Sequence, residues 1–318
     1  MAQTPLVTVV ITAYNHEHTI ERAINSVLAQ KTDFPFEIRI AEDSSQDNTR
    51  ALLLRYAARW PQIIRIDPRP RSVGLSRNWY EALTSAKGQY VCLLKGDDWW
   101  LSEYKLQKQV DYLRKHPGCF AVGHRVRLID SAGNVCGTLP DRRFLAGSGF
   151  LNAQQFLRGR IYSCTTCLVR NIFDPEDQKL REYMTANRNA AAFTLCMLYL
   201  DKGPIYLIDE ELSARHVSSH LNTDLGSVLC GEIRRYRDFV EVVQSSRRYF
   251  NNAYNFDRCL LAGTAYPFTD RLLHGGLAPF CKEMHALPLR VRLCFPLFLI
   301  VHLLGRIPAR IRRRKKHE

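Results

Sequence analysis

Two hydrophobic periods take turns along the first 130 residues, and that alternation limits the fold more than any other feature of the chain. Short, nearly uninterrupted apolar runs suit strands covered on both faces, and each is followed by an apolar stripe at three- and four-residue spacing, the mark of a helix lying on a sheet. Predicted strands are Leu6 to Thr12, Phe36 to Ala41, Ile63 to Ile66, Tyr90 to Leu94 and a longer run from Cys119 to Ile129. Between them lie helical faces: Ile20, Ala23, Ile24, Val27 and Leu28, then Leu52, Leu53, Tyr56, Ala57 and Trp60, then Leu75, Trp79, Ala82, Leu83 and Ala86, and finally Leu106, Val110 and Leu113. Strand and helix in regular succession build an α/β sheet with crossover helices. Asn15 is a plausible N-cap for the first helix, and Ser44 with Asp47 resembles a capping box for the second.

Past residue 130 the pattern loosens. Residues 131–149 are rich in Gly, Ser, Asp and Pro and read as a surface loop long enough to be a flap. Asn152 to Arg158 and Ala190 to Leu200 look helical, Ser163 to Arg170 and Pro204 to Ile208 look extended, and from about Leu225 the chain reads as mostly helical. Three units are therefore expected: an α/β domain over 1–224, a helical extension over 225–287, and an apolar segment with a basic tail over 288–318.

Charge and cysteine usage narrow the class of partner. A formal net charge of +14 favours anionic partners, but the last thirteen residues hold seven Lys or Arg and one Glu, so the excess is partly a property of the tail. Nucleic-acid binding is not expected, because such a surface would interleave basic and aromatic residues across the fold. The chain has ten cysteines but passes directly from its first residues into a strand, which gives the expectation of a reducing, cytoplasmic setting. Cys164 and Cys167 have a metal-like spacing without a second pair, so they read as ordinary semi-buried thiols.

In open α/β sheets, ligands bind beyond the carboxyl ends of the strands. Three such ends carry polar groups here: Thr12-Ala13-Tyr14-Asn15, Ala41-Glu42-Asp43-Ser44-Ser45 and Lys95-Gly96-Asp97-Asp98-Trp99-Trp100. Carboxylates together at a strand end can hold a hard divalent cation shared with substrate phosphates, and magnesium or manganese would fit.

With those residues in view, VTVVITAYNHEHTIERAINSVLAQ, AEDSSQDNT, GLSRN and AKGQYVCLLKGDDWW followed by KLQKQV resemble, in order and spacing, a family 2 glycosyltransferase of the GT-A fold. The resemblance covers roughly residues 6–115 and continues more faintly through LCMLYLDKGPIYLIDEELSARH. It implies a Rossmann-like mixed sheet flanked by helices, with the helical extension at its C-terminal side. By the same resemblance Thr12 and Tyr14 would line a nucleotide pocket, Asp43 would bond the base, and the segment from Gly74 to Asn78 would border the nucleotide-sugar. Asp97 and Asp98 would cover the ribose and the diphosphate-bound metal, and Trp100 would wall the sugar pocket. His216, in an Arg-His element, would touch the diphosphate or the acceptor. Trp99 and Trp100 equally suit simple packing, and His216 a surface role.

Two departures from the family pattern matter. The family commonly has an acidic residue where this chain has Lys95, so the ammonium is expected to serve the diphosphate as a fixed point charge that partly replaces or repositions the ion. Relatives also often carry an Asp just before the helix that corresponds to Leu195 to Leu200, at the position occupied here by Ala192, so the general base is not assigned. Glu182, Asp209, Glu210 and His216 are all conceivable. The resemblance implies sugar transfer, with inversion, from a UDP- or dTDP-sugar to a hydroxyl of a cell-surface glycan or lipid-linked acceptor; the alternative is a degenerate protein that binds nucleotide-sugar, or a partner enzyme as a scaffold, without turnover. Leu293 to Leu304, too short to span a bilayer and followed by the basic tail, suits the anionic inner face of the cytoplasmic membrane.

Overall fold

The computed structural model describes residues 4–142, 145, 149–188, 191–217, 236–261, 264, 287, 289, 291–296 and 299. In chain order the elements begin β1 (Val7–Ala13), α1 (Ile20–Leu28), β2 (Phe36–Glu42), α2 (Thr49–Arg59), β3 (Ile64–Pro68), α3 (Leu75–Thr84), β4 (Tyr90–Lys95), β5 (Trp99–Trp100), α4 (Lys105–Lys115) and β6 (Ala121–Ile129). They continue with β7 (Val135–Leu139), β8 (Phe150–Leu151), α5 (Ala153–Leu157), β9 (Leu168–Arg170), α6 (Gln178–Thr185), α7 (Ala191–Lys202), β10 (Ile205–His216) and α8 (Tyr236–Tyr249).

The strands form one mixed sheet in the order β3-β2-β1-β4-β9-β6-β10-β5, with β7 also on β6 and β8 also on β10. Strands β3, β2, β1 and β4 run parallel, and β9 is antiparallel to both β4 and β6. Two reversals bring β6, and β10 which pairs with it in parallel, back into the direction of β4. The carboxyl ends of β1, β2, β4, β6 and β10 therefore share one edge of the sheet.

Period-two alternation divides the strand side chains between two cores. Val91 and Leu93 of β4 join a core with Trp79, Phe193, Met197, Phe239 and Val243, while Cys92 and Leu94 join one with Ile11, Ile24, Leu106 and Val110. Each fully buried aliphatic side chain contributes about 1.5–3 kcal/mol, so the two covered faces together hold the strand register against slippage. Helix α8, in the predicted extension, packs against α6 and α7, with Tyr183 Oη 3.0 Å from Ser246 Oγ and Asn187 donating to Glu241 at 2.9 Å. Among the described residues the extension thus shares the core of the α/β unit. The expected boundary at 224/225 lies outside them.

Several local expectations need correction. The predicted loop 131–149 contains a strand, because Asp130 accepts from the backbone of Ala132 and Asn134 at 2.9 and 2.8 Å, closing a tight turn that returns β7 along β6. The extended run predicted over Pro204 to Ile208 continues to His216, since irregular register shifts at Glu211 carry β10 past its polar middle. The segment predicted as extended from Ser163 opens with a 3-10 turn over Cys164–Thr166.

Candidate functional site

Two left-handed residues shape the loops at the sheet edge: Asn15 with φ 56° and Ser44 with φ 62°. Neither caps a helix as the sequence suggested. The Asn15 backbone N–H donates to Ser45 Oγ at 3.1 Å, and its side chain accepts from the Gln46 N–H at 2.8 Å. Asp47 accepts from Glu17 N–H at 3.0 Å and from Thr49 N–H at 2.9 Å. These polar side chains stitch the β1–α1 loop to the β2–α2 loop, and the helices start later, at Ile20 and Thr49.

The stitched loops frame a cavity of about 450 Å³ beyond the carboxyl ends of β1, β2 and β4. Thr12 lies near the end of β1 and Tyr14 directly follows the strand, Asp43 directly follows β2, Gly74 and Asn78 stand at the start of α3, and Lys95 ends β4 with Asp97 in the turn beyond; all seven lie in its wall. The predicted nucleotide-sugar residues are thus brought together. Tyr14 stands at the rim with 46% of its surface exposed. Leu75, of the predicted Gly74 to Asn78 segment, is in the wall too, and so, not foreseen, are His16, Ser72 and Arg188. His16 directly follows the strand-end residues already singled out, so its position was a usable signal. Arg188 offered none, since it arrives from the α6–α7 connection, more than a hundred residues from Ser72 and Gly74.

The wall is held from behind. Asp43 is buried and accepts from Val73 N–H at 2.7 Å, Ser72 Oγ at 2.8 Å and Gly74 N–H at 3.1 Å. Asn78 donates to the Ala41 carbonyl at 3.1 Å and accepts from Arg69 at 3.3 Å. Gly96 donates to the Thr12 carbonyl at 2.9 Å, and a Cβ there would sit 2.4 Å from His16 Nδ1, so only glycine lets the β4 turn lie this close to the imidazole.

Charge is arranged in two layers. At the surface of the cavity Lys95 Nζ pairs with Asp97 Oδ2 at 3.3 Å. Burial acts to raise the Asp97 carboxyl, but Lys95 and His16 outweigh it and hold the group below its ordinary value. Burial lowers His16, against the pull of Asp97. Behind this layer Asp98, 4% exposed, is pushed up to about 6 by burial, with Arg215 pulling the other way from 3.4 Å. The Arg215 guanidinium also donates to Ser163 Oγ at 2.6 Å and Thr165 Oγ1 at 2.9 Å.

The donor set fits a divalent cation through one carboxylate. Asp97 Oδ1 is buried and accepts no hydrogen bond from the described residues, and magnesium or manganese is commonly held by one or two carboxylates plus substrate phosphates. Among the described residues no group of three His, Cys, Asp or Glu could form a closed metal cage. Asp98, expected as a second ligand, does not line the cavity, because the ion pair with Arg215 draws it beneath the turn.

Other expected residues are also elsewhere. Trp100 does not wall a sugar pocket: β5 pairs with Ser213 and Ala214 of β10, and the ring is buried in the core with Lys105 Nζ 4.2 Å from its centroid. His216 is exposed at the end of β10, on the same edge as the cavity but outside its wall. Of the conceivable bases, Asp209 is paired with Arg125 and Arg142, Glu210 with Lys108, and Glu182 is exposed on α6; none lines the cavity. Ala192 lies in the first turn of α7.

Residues 8–168, half of the chain, match the family model described as glycosyl transferase family 2. An uncharacterized protein of Mycobacterium tuberculosis is 41% identical over 125 residues, 39% of this chain and 36% of the relative. A UDP-Glc:alpha-D-GlcNAc-diphosphoundecaprenol beta-1,3-glucosyltransferase of Escherichia coli, WfgD, is 33% identical over 119 residues, 37% of this chain and 45% of the relative. The match to these relatives therefore spans less than half of their length. Residues 1–349 of S. aureus TarS, solved in complex with UDP, superpose with a TM-score of 0.64 at 17% identity, covering 92% of this chain and 85% of that one, and share the GT-A fold.

Proposed function

This chain belongs to glycosyl transferase family 2, and we propose that it moves a sugar from a UDP- or dTDP-sugar to a hydroxyl of a cell-surface glycan or lipid-linked acceptor. The observation that carries the reading is the gathering of Thr12, Tyr14, Asp43, Gly74, Asn78, Lys95 and Asp97 around one cavity at the sheet edge where α/β folds bind ligands. Tyr14, exposed at the rim, offers a ring for the base to stack on, and the buried Asp43 carboxylate offers an acceptor for its N–H. Sugar transfer breaks the bond between the anomeric carbon and the diphosphate, so negative charge grows on the leaving group, and fixed positive charge at that spot lowers the barrier. Lys95 supplies one such charge. A divalent cation held by Asp97 would supply a second, as a Lewis acid on the diphosphate.

Attack by an acceptor hydroxyl from the opposite side of the ring would invert the anomeric carbon. No acceptor-side carboxylate of the described residues faces the cavity, and Ala191 and Ala192 open α7. This favours, as a second reading, a protein that binds nucleotide-sugar without turnover. The membrane-side acceptor is supported by the helical residues 291–296, where Val291 and Phe295 are buried while Leu293 is 72% exposed. The basic residues from Arg306 to Lys316, outside the described residues, would add attraction to anionic lipid.

Donor hydrolysis by purified protein tests the reading without knowledge of the acceptor. A panel of UDP-, dTDP- and GDP-sugars with and without manganese is expected to give slow turnover of one donor, lost in Asp97→Asn. Binding with no turnover in the presence of lipid extract would select the second reading, and no binding of any donor would refute both.

A further inference from the structure

Asp43 and Arg188 stand beside one another in the cavity wall, joined through Ser72: its hydroxyl donates to Asp43 at 2.8 Å and lies 3.5 Å from Arg188 Nη2. A carboxylate offers about four acceptor positions. Three are taken, by Ser72, Val73 and Gly74, which leaves room for one further N–H. Arg188 is held in place by its own backbone, whose carbonyl accepts from Ser76 N–H at 3.1 Å, and by its stem, which crosses the face of Gly74. The Cγ atom lies 2.5 Å from where a Gly74 Cβ would be, so the missing side chain of Gly74 is what lets the arginine pass. At its tip the guanidinium makes two long hydrogen bonds among the described residues, 3.4 and 3.5 Å, both to Ser72. A guanidinium carries five donors, so most of its capacity remains for a ligand in the cavity.

One acceptor beside one donor is the complement of an edge with an N–H beside a C=O. Uracil and thymine have that edge, whereas cytosine presents an unprotonated ring nitrogen beside an amino group, the reverse order. We propose that Arg188 reads the base of the donor nucleotide, donating to its carbonyl while Asp43 accepts the neighbouring N–H, so that the pair selects uracil or thymine over cytosine. The inference rests on the reading that the cavity takes a donor nucleotide. It makes Arg188, a residue of the connection between α6 and α7, a specificity determinant for a site otherwise built from the first hundred residues.

UDP and CDP share ribose and diphosphate and differ only at the edge in question, so titration of both nucleotides isolates it. Arg188→Met keeps the aliphatic stem over Gly74 and removes the donors, and its thermal midpoint beside wild type shows that the fold is kept. Wild type is expected to prefer UDP by tenfold or more. In Arg188→Met the affinity for UDP is expected to fall about 10- to 100-fold, the range for losing a hydrogen bond from a charged group, while that for CDP changes less than threefold. Arg188→Lys, which restores one donor without the fork, is expected to recover part of the preference. Equal weakening of UDP and CDP would assign Arg188 to the shared diphosphate or to the framework and overturn the proposal, as would unchanged affinity for UDP. Failure of wild type to bind either nucleotide would instead refute the donor-site reading itself, a result visible before any variant is made.

Discussion

Replacing Arg215 by methionine removes the only charge partner that a hydrogen bond or ion pair among the described residues gives to Asp98. The perturbation is severe because both groups are buried, with side-chain exposures of 11% for Arg215 and 4% for Asp98. Burial, with the Asp97 charge adding to it, already pushes the Asp98 carboxyl up to about 6 with the guanidinium in place. Without it the carboxylate keeps, among the described residues, only the weaker pull of Lys95 and Arg22, and the Ser163 and Thr165 hydroxyls each lose a donor that now stands at 2.6 and 2.9 Å. Removing one member of a buried pair costs about 3–5 kcal/mol, because an uncompensated charge is left behind. Urea denaturation at pH 7.5 is therefore expected to show Arg215→Met less stable than wild type by about 3–5 kcal/mol. In the double variant Arg215→Met with Asp98→Asn most of that loss is expected to return, since no buried charge remains. A loss below about 1 kcal/mol in the single variant, or no recovery in the double, would refute the argument that this pair is buried and mutually dependent.

Three further outcomes follow from the same geometry. Gly74 has φ 87° and ψ 164°, a region open essentially to glycine alone, so Gly74→Ala is expected to cost about 1–3 kcal/mol in urea denaturation and to weaken nucleotide binding as Arg188 is displaced; wild-type behaviour in both assays would contradict the strain argument. Lys95→Ala removes a fixed positive charge from the cavity, and donor affinity measured by calorimetry is expected to fall by about tenfold, equivalent to roughly 1.4 kcal/mol, while full activity would show that the ammonium does not serve the diphosphate. Lys105 is sealed in the core between Trp100 and Gln109, and burial lowers its folded-state value below the ordinary 10.5. The unfolded chain then binds the extra proton, so stability is expected to rise with pH up to about 10.5. The rise should be smaller in Lys105→Met, and identical pH profiles would show that Lys105 does not carry it.

The strands were legible where burial on both faces left no polar residue to blur the pattern, as in β1, whose seven residues are all buried. Partly exposed strands were not. In β7, Val135 is exposed and its neighbours Gly137 and Thr138 carry little apolar signal, so pairing with β6 rather than side-chain burial makes it a strand. Asn15 was recognised as a residue that ends a strand, but its side chain bonds across to a neighbouring loop instead of capping the next helix, a choice fixed by tertiary proximity. The same limit applies to the site. Residues on three strand ends could be grouped because adjacent parallel strands bring such ends together, whereas the helix start at Gly74 joined them only through the family resemblance. Trp100 stayed open between a sugar wall and packing, because only its pairing with Ser213 through β5 shows which face it turns to the core. Arg188 reaches the cavity through a packing relation between α6, α7 and α3 that no local pattern encodes.

The central claim is that the cavity between Tyr14, Asp43 and Asp97 is the donor-nucleotide site, and a crystal structure of the protein with UDP and manganese tests it most directly. The account predicts uracil density beside Asp43 and Arg188, stacked near Tyr14, with the diphosphate directed toward Lys95 and Asp97. Clear nucleotide density at any other place on the molecule, with this cavity left filled by solvent, would contradict it.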